Sequence, residues 1–160
     1  MEKLEVTQSN AMKAYNSANT NGKKLLADLF GAEVFNQKIT DRVKLFEDAC
    51  ELLGIDPTKV CTGKPDDVLV YDSKSITAYR KLIIIARALN EGWTPDWNDT
   101  NQYKWYPYFK FKAGFGFSRT YCAYWLSHTT VGSRLCFKSE ELAQYAGKQF
   151  EAIYQEFLTL

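Results

Sequence analysis

At 160 residues, with 46% apolar and 24% charged side chains, the chain has the size and make-up of one ordinary globular domain, which excludes a disordered polymer and a coiled coil. Its longest apolar run, Leu82-Ile83-Ile84-Ile85-Ala86, falls well short of the eighteen or so residues a membrane span needs, and the start MEKLEVTQ has no basic stretch leading into an apolar one, so no signal peptide is expected. The formal net charge of +1 is unlike that of a strongly basic nucleic-acid binder.

The charge is unevenly spread. Residues 93–138 carry six basic side chains against two acidic ones, and they also hold more than half of the Trp, Tyr and Phe residues. Any binding surface is expected there. Cys50, Cys61, Cys122 and Cys136 show no CxxC pairing, and in a reducing cytoplasm they remain thiols.

In chain order, residues 7–20 predict a short helix capped by Thr7 or Ser9, with Ala11, Ala14, Tyr15 and Ala18 at helical spacing. A second runs over 23–30, with Leu25, Leu26, Leu29 and Phe30 on one side and Gly31 as its left-handed stop. Thr40, Asp41 and the stripe Val43, Phe46, Ala49, Cys50, Leu53 predict a helix over 41–53, ending at Gly54 with Ile55 folding back on the last turn. A loop follows in which Val68-Leu69-Val70-Tyr71 reads as an edge strand. The broad apolar face of Ile76, Tyr79, Leu82, Ile83, Ala86 and Leu89 predicts a central helix over 75–90.

The sheet comes next. Over Lys104–Lys112, Trp105, Pro107, Phe109 and Phe111 alternate with Lys104, Tyr106, Tyr108, Lys110 and Lys112, so one face is expected in the core and the other in water. Pro107 has no N–H to give a central strand, which places it at an edge or a bulge. Residues 113–116 read as a turn, Phe117–Leu126 as the return strand and Ser133–Lys138 as a third strand with Leu135 and Phe137 inward. Ser139 caps a final helix whose stripe Leu142, Tyr145, Ala146, Gln149, Phe150, Ile153, Phe157 reaches the C-terminus. The expected fold is a single α+β domain over 1–160. It has N-terminal helices to residue 92, a three-stranded antiparallel meander at about 103–138, and a long C-terminal helix packed on its apolar face.

Four segments, Ile39-Thr40-Asp41-Arg42-Val43, Ala88 to Trp97 (ALNEGWTPDW), Val131 to Ser139 (VGSRLCFKS) and Tyr145-Ala146-Gly147-Lys148-Gln149-Phe150, make the chain resemble small proteins of bacterial prophages and mobile elements. The group has no established activity. The resemblance implies a phage or mobile-element context and transfers no catalytic residue.

For chemistry, Tyr106 and Tyr108 between Lys104, Lys110 and Lys112, with Arg119 on the return strand, suit single-stranded DNA or RNA: bases stack on the rings and ammonium groups neutralise phosphates. The plainer account is an ordinary solvated sheet face. Trp93 and Trp97 about Pro95 suit a clamp for a ligand or partner, or else anchor a loop on the core. Cys122, His128 and Cys136 lack the spacing and fourth ligand of a zinc site, and as a nucleophile pair they lack an orienting group. Asp96 to Asn101 begins like a calcium loop but lacks its glycine and has Pro107 where the bidentate Glu belongs. Glu47 and Glu51 read as a solvated helix face, and Gly114–Gly116 is not a phosphate loop. No catalytic residue, cofactor or metal is expected. The expected function is that of a non-enzymatic accessory protein in the cytoplasm of a bacterial host, binding single-stranded nucleic acid. The alternative is a structural or protein-interaction module, such as a virion component or an inhibitor of host machinery.

Overall fold

The computed structural model describes residues 6–60, 72–111 and 117–159. Its contacts divide the chain into two compact units, Met1–Arg42 and Val43–Leu160. The expected edge strand at 68–71, the turn at 113–116, Lys112 and Cys61 lie outside the described residues.

The first unit holds α1 (Gln8–Ser17), α2 (Thr20–Phe30), α3 (Ala32–Phe35) and α4 (Ile39–Arg42). Thr7 caps α1 as expected, its Oγ1 accepting from Asn10 N, and Asn19 caps α2 by accepting from Gly22 N. Gly31 stops α2 with a φ of 87°, a value costly for any residue with a Cβ. Ala11, Met12 and Phe35 form the core, and the Tyr15 ring stacks on Phe35 at 4.2 Å.

In the second unit, α5 (Phe46–Leu53), α6 (Pro57–Val60) and α7 (Ser73–Asn90) precede a hairpin of β1 (Lys104–Phe111) and β2 (Phe117–Trp125), and α8 (Glu140–Gln149) and α9 (Glu151–Leu158) close the chain. α7 packs against α5, α8 and α9, while α8 lies on both strands. The α+β class is therefore as expected, including a C-terminal helix on the sheet.

Three expectations need correction, each for a definable reason. The helix predicted over 41–53 is continuous only from Phe46. The Val43 and Lys44 carbonyls accept instead from the Tyr145 hydroxyl (2.6 Å) and the Gln149 amide (2.9 Å), while the Asp48 carboxylate takes the Lys44 and Leu45 N–H groups. Side chains have replaced the backbone partners a longer helix would use.

The third strand reduces to one bridge, and the sheet has two strands. Trp105 and Phe137 exchange both backbone hydrogen bonds, at 3.0 and 2.7 Å. The next bonded pair of such an antiparallel ladder would be Pro107 with Leu135. Pro107 has no N–H, so pairing stops there, and Ser133–Leu135 winds into a 3-10 turn. Placing Pro107 where its neighbour strand ends agrees with the edge position its chemistry requires.

The C-terminal stripe is interrupted at Phe150, whose φ and ψ of −112° and 28° separate α8 from α9. The break lets successive parts of the stripe meet different partners: α8 covers the hairpin, while α9 brings Phe157 within 5.4 Å of the Tyr79 ring on α7.

Candidate functional site

Period-two alternation puts Lys104, Tyr106, Tyr108 and Lys110 on one face of β1 and Trp105, Pro107 and Phe109 on the other. The second face is covered around Pro107 and Phe109. The Phe109 ring lies 4.9 Å from Tyr154 of α9, and the Cys122 thiol, opposite Pro107, donates to Glu140 of α8 at 3.5 Å.

The face expected to be wet is wet only at one end. Lys104 has no exposed surface and Tyr106 is buried, so neither belongs to a solvated strip. Lys104 Nζ donates to the Asp99 carbonyl at 2.7 Å and sits 5.4 Å from the centre of the Trp97 ring, a cation–π contact. Tyr106 stacks on Trp125 at 6.0 Å, and burial raises the Tyr106 hydroxyl pKa above its ordinary value. Residues 97–99 thus close over this end of the sheet. At the other end Tyr108 is 45% exposed and stacks on Tyr121 across the hairpin, centroids 5.2 Å apart at 17°. Lys110 is exposed beside it, opposite Arg119 in the strand register.

A second exposed aromatic group was not legible as such. Tyr103, Trp105 and Tyr124 meet within 4.6 to 6.0 Å, with Tyr103 half exposed and Tyr124 nearly so. Their chain positions, 103 before the strand and 124 near the end of its partner, converge only through the register.

Trp93 and Trp97 have separate roles. The Trp97 indole N–H donates to Ser133 Oγ at 2.7 Å, which with the Lys104 contact makes it a loop anchor. Trp93 instead lines a groove of about 540 Å³ together with Ile83, Arg87, Pro95, Ser133 and Arg134. The groove lies where α7 ends, and Asn90 organises it. The buried Asn90 amide donates to the Cys136 carbonyl at 2.8 Å and accepts from Lys138 N at 3.0 Å, clamping the chain after the 3-10 turn to the helix terminus. Beside it, Lys138 Nζ pairs with the Glu91 carboxylate at 2.9 Å.

The remaining candidates resolve into local structure. Asp96 accepts from Asn98 N and Asp99 from Asn101 N, both turn-forming contacts. His128 is exposed and its Nδ1 meets Ser127 Oγ at 3.2 Å. Among the described residues no cluster of three His, Cys, Asp or Glu side chains could hold a metal, and Cys50, Cys122 and Cys136 are unbridged.

Burial pushes the Cys136 thiol from 9.0 to about 11, the nearby Lys104 charge only partly opposing it. The Cys122 thiol is also raised, by burial first and by its hydrogen bond to Glu140 second. The folded chain therefore keeps the Cys136 proton over a pH range in which the unfolded chain loses it. The resulting stabilisation is complete below about pH 9 and is lost as pH rises towards 11. Urea unfolding from about pH 8 to about pH 11 should show stability falling, with a shallower fall in Cys136→Ala; equal slopes would refute this origin.

Sequence reasoning missed Asn90 and Arg87 because both sit on a helix whose pattern reports only its apolar face. The one available signal for Asn90 was its position just before Glu91-Gly92, where a helix stops and polar side chains reach neighbouring backbone. Of the eight side chains expected to bind, Tyr108, Lys110 and Trp93 lie at accessible surfaces, Lys104 and Tyr106 are buried, and Trp97 anchors a loop; Arg119 is placed by its backbone alone, and Lys112 is not described. No helix among the described residues is long and apolar enough to cross a membrane. Comparison with protein-family models, with curated proteins and with solved structures finds no match for this chain.

Proposed function

We propose that this chain is a non-enzymatic accessory protein of a phage or mobile element that binds single-stranded nucleic acid through the open end of its hairpin. The observation that carries the reading is the Tyr108–Tyr121 stack, its outer ring 45% exposed beside the exposed Lys110. An exposed ring already held by a neighbour offers a flat, preorganised surface to a base, and each stacked base contributes about 1–3 kcal/mol. Lys110 and Arg119, opposite one another in register, place two basic residues across the hairpin from each other, suited to the phosphates that follow such a base. The phage or mobile-element context rests on the resemblance of the four segments named above, and a bacterial cytoplasm is the setting that goes with it.

Titration of a labelled single-stranded oligonucleotide at about 50 and 200 mM salt tests this reading. Affinity should fall steeply with salt, and Tyr108→Ala should weaken it roughly tenfold while the cross-strand stack it removes costs no more than about 1 kcal/mol of stability. Binding that ignores salt and the Tyr108 ring would refute it. The Tyr103–Trp105–Tyr124 cluster favours the second reading, a protein-interaction module in which exposed rings act as contact hot spots. That surface would bind a protein partner with little salt dependence.

A further inference from the structure

We infer that the groove beside the end of α7 is a nucleotide site, taking a base against Trp93 and its phosphate between Arg87 and Arg134. The inference rests on the nucleic-acid reading above but concerns a different surface. Its volume, about 540 Å³, is within the range of sites for small organic ligands. Its chemistry is specific. Arg87 and Arg134 are exposed, and neither has an ion pair with a described residue. The nearby Glu91 carboxylate is held by Lys138 at 2.9 Å, so the charge facing the groove is positive. Guanidinium groups match phosphate geometry through paired N–H donors.

The other polar groups are disposed to suit. Ser133 Oγ accepts the Trp97 indole N–H at 2.7 Å, which leaves the hydroxyl proton to donate to a phosphate oxygen. Asn90 is spent on Cys136 and Lys138 and holds the groove's two walls together. Trp93, half buried, and Pro95 make the apolar part of the lining, the surface on which a base would lie. A bare inorganic anion would use the arginines and leave the indole idle; a nucleotide uses both.

Adenosine 5′-monophosphate, adenosine and inorganic phosphate would each be titrated into the intact protein and followed by amide chemical shifts. The monophosphate should bind saturably at sub-millimolar concentration, with shifts at Trp93, Ser133 and Arg134, and at least tenfold more tightly than adenosine or phosphate. Arg87→Gln and Arg134→Gln, both at exposed positions, should each weaken it about tenfold while the unfolding midpoint stays unchanged. No saturable binding, phosphate binding as tightly as the monophosphate, or indifference to both substitutions would overturn the proposal. Tyr108→Ala separates the two surfaces. If it abolishes oligonucleotide binding while the monophosphate fails to bind, the groove proposal alone falls; if the monophosphate binds and oligonucleotide binding ignores Tyr108, the hairpin reading alone falls.

Discussion

Replacing Asn90 by alanine is expected to destabilise the second unit by about 2–4 kcal/mol, because two backbone groups lose their partners at once. The Cys136 carbonyl and the Lys138 N–H both bond to this one amide, at 2.8 and 3.0 Å, the first buried and the second partly so, and a buried group left unpaired costs about 1–3 kcal/mol. The residue between them, Phe137, is fully buried and makes the bridge to Trp105. The clamp therefore holds the inner edge of the sheet as well as the groove. Asn90→Asp keeps the acceptor for Lys138 N but turns a carboxylate oxygen towards the Cys136 carbonyl, and it should be no milder. Urea unfolding at neutral pH checks both variants. A loss below about 1 kcal/mol with an unchanged denaturant slope would show that water replaces the amide and that the clamp is not structural.

The second large effect is expected at Lys104, and it separates packing from charge. Lys104→Ala removes a fully buried stem, opens a cavity and leaves the Asp99 carbonyl without its donor; the expected cost is about 2–4 kcal/mol. Lys104→Met keeps most of the stem's volume and discards a buried ammonium, whose desolvation offsets much of what its contacts contribute. Its stability should stay within about 1 kcal/mol of the parent. Had Lys104 faced water as the strand alternation suggested, the same variant would lower the salt dependence of oligonucleotide binding by about one phosphate contact. Buried beneath Trp97 and Asp99, it should leave that dependence unchanged. A reduced salt slope in Lys104→Met would return this lysine to the binding surface.

Local chemistry made much of the architecture legible. Thr7 and Ser139 cap the helices they precede, Gly31 and Gly54 end theirs at positive φ, and Ile55 N folds back to the Cys50 carbonyl at 2.8 Å. These features depend on a few adjacent residues, so a linear reading reaches them. The two strands were readable for the same reason, and Pro107 marked an edge or a bulge. The third strand was not, since how far residues 133–138 pair depends on Pro107 in another strand, and the chain around Phe137 is held by an asparagine more than forty residues earlier.

The candidate site divides along the same line. Alternation determined that Lys104, Tyr106, Tyr108 and Lys110 share a face, because the pleat of an extended chain has period two whatever surrounds it. It could not determine what lies over that face. The segment carrying Trp97 and Asp99 buries its first half and leaves the second open, and the groove is lined both by Arg87 of α7 and by Arg134 of the segment that Asn90 ties to the end of that helix. Side-chain direction is a property of the local backbone, whereas exposure is set by segments distant in the chain; the first is written in the sequence of this protein, and the second was decided by how it folds.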